Sequence, residues 1–193
     1  MARIMTVSEE TAQGLQRELI EKAKAESGYL SGTRKILLAD LQVAQLTRQL
    51  YDYLCLRPAS PMTRIQREMV ATVVYGIVGA KPCLSLHCEA LRRLTGDDAL
   101  GPEFSAAWPD YSIDASTRAL LRYAKKLTES PDRIADSDVE GLREGGWDER
   151  GVYEATALIA LFNFIGRLEA ASGLPMDQIP AGASLPEAVP DNR

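Results

Sequence analysis

Histidine is nearly absent from this chain, with His87 the only one in 193 residues. One imidazole and scattered cysteines make an incomplete ligand set, so no metal is expected. Cysteine is scarce too. Its odd count of three (Cys55, Cys83, Cys88) does not match the even pairing of a secreted disulfide scaffold. Aromatic residues make up only 6%, which leans away from a β-sandwich. Basic residues are outnumbered, 22 against 27 acidic ones for a formal charge of −5. The arginine pairs Arg64/Arg67 and Arg92/Arg93 are interleaved with acids, whereas nucleic acid wants a basic stripe, so no such partner is expected. No run reaches the roughly 18 apolar residues of a membrane span; Val152–Ile165 is too short and carries polar groups. The N-terminus MARIMTVSEE lacks the apolar stretch of a signal peptide. No nucleotide fingerprint appears, since Gly-x2-Gly at 76–79 is not one, and no cofactor is expected. The expectation is a cytoplasmic protein of a reducing compartment, with no membrane partner.

What the chain does have is a hydrophobic content of 46%, enough for a sizeable core, and helical periodicity throughout. Ser8 reads as the N-cap of a first helix to about Glu26, and a second helix fits Arg34 to about Leu56. Thr63 and Gln66 form a capping-box pattern for a third, about Arg64 to Val78, which is apolar nearly all round and therefore central. Gly76 inside it costs roughly 1 kcal/mol relative to alanine, which suggests close approach of a neighbouring helix or a ligand. A fourth helix spans about Pro82 to Leu94, followed by a loop over 97–112. Further helices run from Asp114 to about Glu129, from Ser137 to Glu144, and from the cap Asp148 to about Ser172, with Gly173 beyond. No strand-period segment survives. The class is all-α, with a single domain over 1–173 (core about 28–173) and a Pro- and Ala-rich tail, 174–193, expected to be extended or disordered.

The chemistry concentrates in Met62–Leu94. Cys83 and His87 are four apart and share one helical face. Pro82 suits a first helical turn, which sets Cys83 near a helix N-terminus where the macrodipole favours a thiolate. Glu68, among Met69, Val70, Ala71, Val73 and Val74, is costly to bury unless something pairs with it, and a proton-shuttling histidine is such a partner. A lone Cys-x3-His pattern on its own is more often a satisfied core histidine beside an inert cysteine. Glu68 on its own is more often an exposed first-turn acid.

These residues resemble a specific pattern. The alkylhydroperoxidase AhpD-like / carboxymuconolactone decarboxylase family, and in particular its peroxidase-related branch, shows Glu-x11-Cys-x2-Cys-x3-His across two helices. Glu68, Cys83 and His87 fall at the motif's glutamate, second cysteine and histidine with all spacings kept, and Ala80 stands at the first cysteine. Further similarity covers PMTRIQRE at 61–68 and ALFNFIGR at 160–167, and more loosely GYLSGTRKILLADL from Gly28. The resemblance implies an AhpD-like helical bundle, a homo-oligomer, and catalysis by Cys83 with His87 and Glu68 relaying protons.

Three functions follow as expectations. The first is an antioxidant thiol peroxidase: Cys83 attacks a hydroperoxide and an external thiol reductant restores it, because Ala80 cannot resolve a sulfenic acid. Cys88 is a poor substitute, since residues five apart on a helix sit roughly 8–9 Å apart at Cα, beyond the ~7 Å limit of a disulfide. The second is a non-redox acid–base enzyme acting on a small carboxylated or carbonyl substrate through His87. The third is a catalytically degenerate scaffold whose Gly76, Gly79 and Trp108 line an apolar pocket.

Overall fold

The computed structural model describes residues 2–186 and has no strand among them. Its centre is α4 (Arg64–Val78). The Thr63 side chain accepts from Gln66 N, and the Gln66 side chain answers at the Thr63 backbone, closing the expected capping box. From Val70 to Tyr75 every residue is buried. The cause is packing on all sides by α5 (Lys81–Thr95), α6 (Phe104–Ala107), α7 (Ala115–Glu129) and α9 (Glu149–Ser172).

Two glycines set the closest approaches. A Cβ on Gly76 would lie 2.3 Å from Ser105 Cβ, so the neighbour expected there is α6. A Cβ on Gly166 of α9 would lie 2.6 Å from Val78 Cγ2 and 3.1 Å from the Tyr75 ring. Of the apolar pocket expected at Gly76, Gly79 and Trp108, the Gly76 side is filled, since α6 packs there and Phe104 and Trp108 (in the 3-10 turn Trp108–Asp110) are buried, while the space beside Gly79 is open.

The later helices start where their caps stand: Asp114 accepts from Thr117 N and Asp148 from Gly151 N, and Gly173 ends α9 in the left-handed region. Between them lies α8 (Asp136–Glu144). By length and composition alone α9 is apolar enough to cross a membrane, although no unbroken apolar run spans it. In the fold it packs against α4, α7 and α8, and it carries two buried glutamates, Glu154 and Glu169.

The N-terminal third differs from expectation. Ser8 caps nothing helical, because its backbone N–H donates to Thr11 Oγ1 (2.9 Å) in a local turn, and α1 (Leu15–Ser27) starts only after Gly14 at φ 51. The single helix expected over 34–56 is three segments. These are α2 (Gly32–Leu37), α3 (Leu41–Tyr51), which Asp40 caps at Gln42 N and Val43 N, and a π-helical turn over Asp52–Leu56. Through residue 186 the tail forms neither helix nor strand, turns at Ala181–Gly182, and is packed. The Asp177 carboxylate accepts from Gly32 N (3.0 Å), Ala183 O from Arg93 Nη1 (2.6 Å) and Pro186 O from Arg64 Nη2 (3.1 Å). Residues 187–193 of the expected tail lie outside the described part.

Candidate active site

The crossing of α4, α5 and α9 brings Glu68, Cys83 and His87 into one buried region. Glu68 Oε2 lies 2.5 Å from His87 Nδ1, and Arg64 Nε donates to Oε1 at 2.6 Å. Burial pushes the Glu68 carboxyl up, and the pull of His87 and then Arg64 more than reverses this, leaving it below its ordinary value. An ionised Glu68 takes the Nδ1 proton as its hydrogen bond, which orients the ring and leaves Nε2 for proton exchange. The rings of Tyr75, Phe162 and Tyr51 stand around the imidazole, with centroids 5.2, 5.6 and 6.5 Å away. The expected pairing of Glu68 with His87 is therefore present.

The expected activation of the thiol is not. No hydrogen bond joins Cys83 to His87 among the described residues. Cys83 does occupy the first turn of α5, behind Pro82, but a different anion holds that helix end: Glu169 Oε2 accepts from Cys83 N at 3.0 Å. Burial first, and then the Glu169 carboxyl, hold the Cys83 thiol well above its usual value; Thr33 and Tyr75 lower it only partly. The helix N-terminus stabilises the Glu169 carboxylate in place of a thiolate. Glu169 in turn is raised, mainly by burial.

Three groups at the thiol escaped the sequence reading. Thr33, on α2, lies 3.3 Å from the Cys83 sulfur and donates to Glu169 Oε1 in a short contact. The Tyr75 hydroxyl is buried without a full hydrogen-bond partner and lies beside the same sulfur. Glu169 left one legible trace. It is an acid near the C-terminal end of an apolar helix, where the dipole disfavours negative charge unless a partner waits. Ala80, at the place of the first cysteine of the motif these residues resemble, is fully buried as the N-cap of α5. All three cysteines are free thiols. Cys55, in the π-helical turn, is pushed well up by burial and then by the Glu68 charge, and Cys88 is pushed up to about 11, mainly by burial.

No protein-family profile matches the chain, and no curated protein does. Solved structures do. An uncharacterized peroxidase-related protein from Silicibacter sp. TM1040 is 26% identical and superposes with a TM-score of 0.76 over 84% of this chain and 86% of that one. An uncharacterized peroxidase-related protein from Ralstonia eutropha JMP134, described as an alkylhydroperoxidase AhpD core, is 19% identical with a TM-score of 0.77 over 91% and 92%. The debrominase Bmp8, solved with 2,3,4-tribromopyrrole, is 17% identical with a TM-score of 0.68 over 92% and 91%. The shared helical architecture, spanning most of each chain, gives this protein the helical fold of these AhpD-like, peroxidase-related structures.

Proposed function

We propose that this protein is a thiol-dependent oxidoreductase that reduces small hydroperoxides through Cys83. What supports the reading is a single cluster: a buried thiol with a hydroxyl and a carboxyl on one side, and a complete His87–Glu68 pair within the same aromatic surround. In the first step the Cys83 thiolate attacks the distal peroxide oxygen. The S–O bond forms as the O–O bond breaks, the alkoxide leaves, and His87, first protonated at Nε2 by water while its Nδ1–H stays on Glu68, gives up the Nε2 proton to make the alcohol. Ala80 offers no resolving thiol. One external thiol therefore condenses with the sulfenic acid, releasing water, and a second regenerates Cys83 with loss of the external disulfide. The reading carries with it a reducing, cytoplasmic setting and a homo-oligomeric assembly. A debrominase shares the fold, so the electrophile is a property of the site and not of the architecture.

One observation favours a second reading. The Glu68–His87 pair is fully assembled while burial and Glu169 keep the thiol neutral. That combination suits acid–base chemistry at His87 on a small carbonyl compound, with Cys83 a bystander.

Intact-mass analysis after stoichiometric hydroperoxide, with a sulfenic-acid trap, separates the two. Trapping that disappears in Cys83→Ser and slows by on the order of a hundredfold in His87→Ala is the outcome expected of a peroxidase. Absence of trapping in the folded wild type, with carbonyl-substrate turnover lost only in His87→Ala, rejects the peroxidase in favour of the second reading.

A further inference from the structure

The Glu68–His87 pair does not account for the proton on Cys83, and a second set of contacts does. The Thr33 hydroxyl has one proton and two acceptors in reach, Glu169 Oε1 and the Cys83 sulfur. A carboxylate is the stronger acceptor, so the hydroxyl proton points to Glu169 and the lone pairs of Oγ1 remain to accept the thiol S–H. Glu169 is held for this role by its other oxygen, which takes the Cys83 backbone N–H at 3.0 Å. It also reaches an opening to solvent. A cavity of about 180 Å³ is lined by Glu169 with Gly79, Gly173 and the exposed cations Arg3 and Lys81.

We propose that Thr33 and Glu169 form the route by which Cys83 loses its proton. The Sγ–H bond breaks as Thr33 Oγ1 takes that proton, and the Oγ1–H bond breaks as Glu169 Oε1 takes the other. The products are a thiolate and a carboxylic acid, with no change in oxidation state. One negative charge is thus shared between sulfur and carboxylate, as in other paired acids that cannot both ionise. Glu169 then passes its proton to water in the Arg3–Lys81 cavity. The work divides between two sides of the thiol: Thr33 and Glu169 take the thiol proton, and His87 with Glu68 serves the leaving oxygen. The other ionisable neighbours are Tyr75 on α4, Tyr51 on α3, Tyr29 before α2 and Asp177 in the tail. None of them completes a hydrogen-bonded path from the sulfur to the cavity among the described residues.

The inference rests on the reading of Cys83 as the reacting thiol, so its test uses no peroxide. The measurement is the rate at which iodoacetamide alkylates Cys83, mapped by mass spectrometry from mildly acidic to alkaline pH in the full chain. The relay predicts that Thr33→Val and Glu169→Gln each slow Cys83 by on the order of a hundredfold at neutral pH and converge on wild type in alkali, where hydroxide replaces the relay. Thr33→Ser, which keeps the hydroxyl, restores most of the rate. The opposite role, a brake that suppresses the thiolate by charge, predicts that Glu169→Gln accelerates alkylation and Thr33→Val changes it little. Acceleration or an unchanged rate overturns the relay. Should Glu169→Gln fail to fold, the Thr33→Val and Thr33→Ser pair decides alone. A relay signature in a protein that forms no sulfenic acid would reject the peroxidase and leave the proton route standing.

Discussion

Glu68, Glu154 and Glu169 are all buried, and their surroundings drive them apart. Burial raises the first two, but His87 and Arg64 around Glu68, and Arg57 and Arg150 around Glu154, bring each below the ordinary carboxylate value. Glu169 receives a hydroxyl and a backbone N–H and makes no ion pair among the described residues, so burial prevails and it is raised. The two directions have opposite consequences for stability. Glu68 contributes stability above its unfolded pKa and loses it as pH falls through the lowered folded value. For Glu169 the folded state binds more protons in the window between about 4.3, the ordinary value, and its own raised value, so stability declines as pH rises through that window. Glu169→Gln removes this decline. Urea melts of the variant should match wild type in acid and exceed it near neutrality by on the order of 1 kcal/mol, the usual sign of a stability cost kept for function.

At the scale of elements, helix starts followed local chemistry where the caps were local. Thr63, Asp114 and Asp148 bond to backbone within three residues, so the spacing that announces them in sequence is the spacing that acts in the fold. Ser8 failed by the same rule, because Thr11 three residues on is a better partner for it than a helix turn. The break at Asp40 went unread because Leu37, Leu41 and Ala44 keep helical spacing across it. Gly76 belongs at this scale as well, since it is where α6 settles onto α4. Gly76→Ala gains about 1 kcal/mol of helix propensity, yet it forces the new Cβ to within 2.3 Å of Ser105 Cβ. Overpacking of about 1–3 kcal/mol should win. The expected result is a lower urea midpoint, with faster amide exchange in α6 than in α9.

Taken whole, the molecule closes its site with segments remote in sequence. The tail lies over α2, α5 and the start of α4 through Asp177, Ala183 and Pro186. Gly32, which Asp177 holds, also presses on Pro82, the residue before Cys83: a Cβ there would lie 2.7 Å from Pro82 Cγ. Truncation after Gly173 therefore loosens the seam between α2 and α5. Hydrogen exchange should show α2 amides losing protection while those of α4 keep theirs, and Cys83 should alkylate several-fold faster as water reaches it.

The sequence by itself determined the helical class, the buried α4, the capped starts of α4, α7 and α9, and the pairing of Glu68 with His87. Each of these follows from a pattern short enough for a linear chain to display, or from a buried charge that demanded a partner. The tertiary structure alone decided the chemistry of the thiol. Position at a helix N-terminus favours a thiolate only while no other anion takes that place, and Glu169 takes it from 86 residues away. Thr33 meets the same carboxylate across 136 residues. No periodicity links such distant positions. The reach of a side chain across packed helices does, and it set whether Cys83 rests as thiol or thiolate.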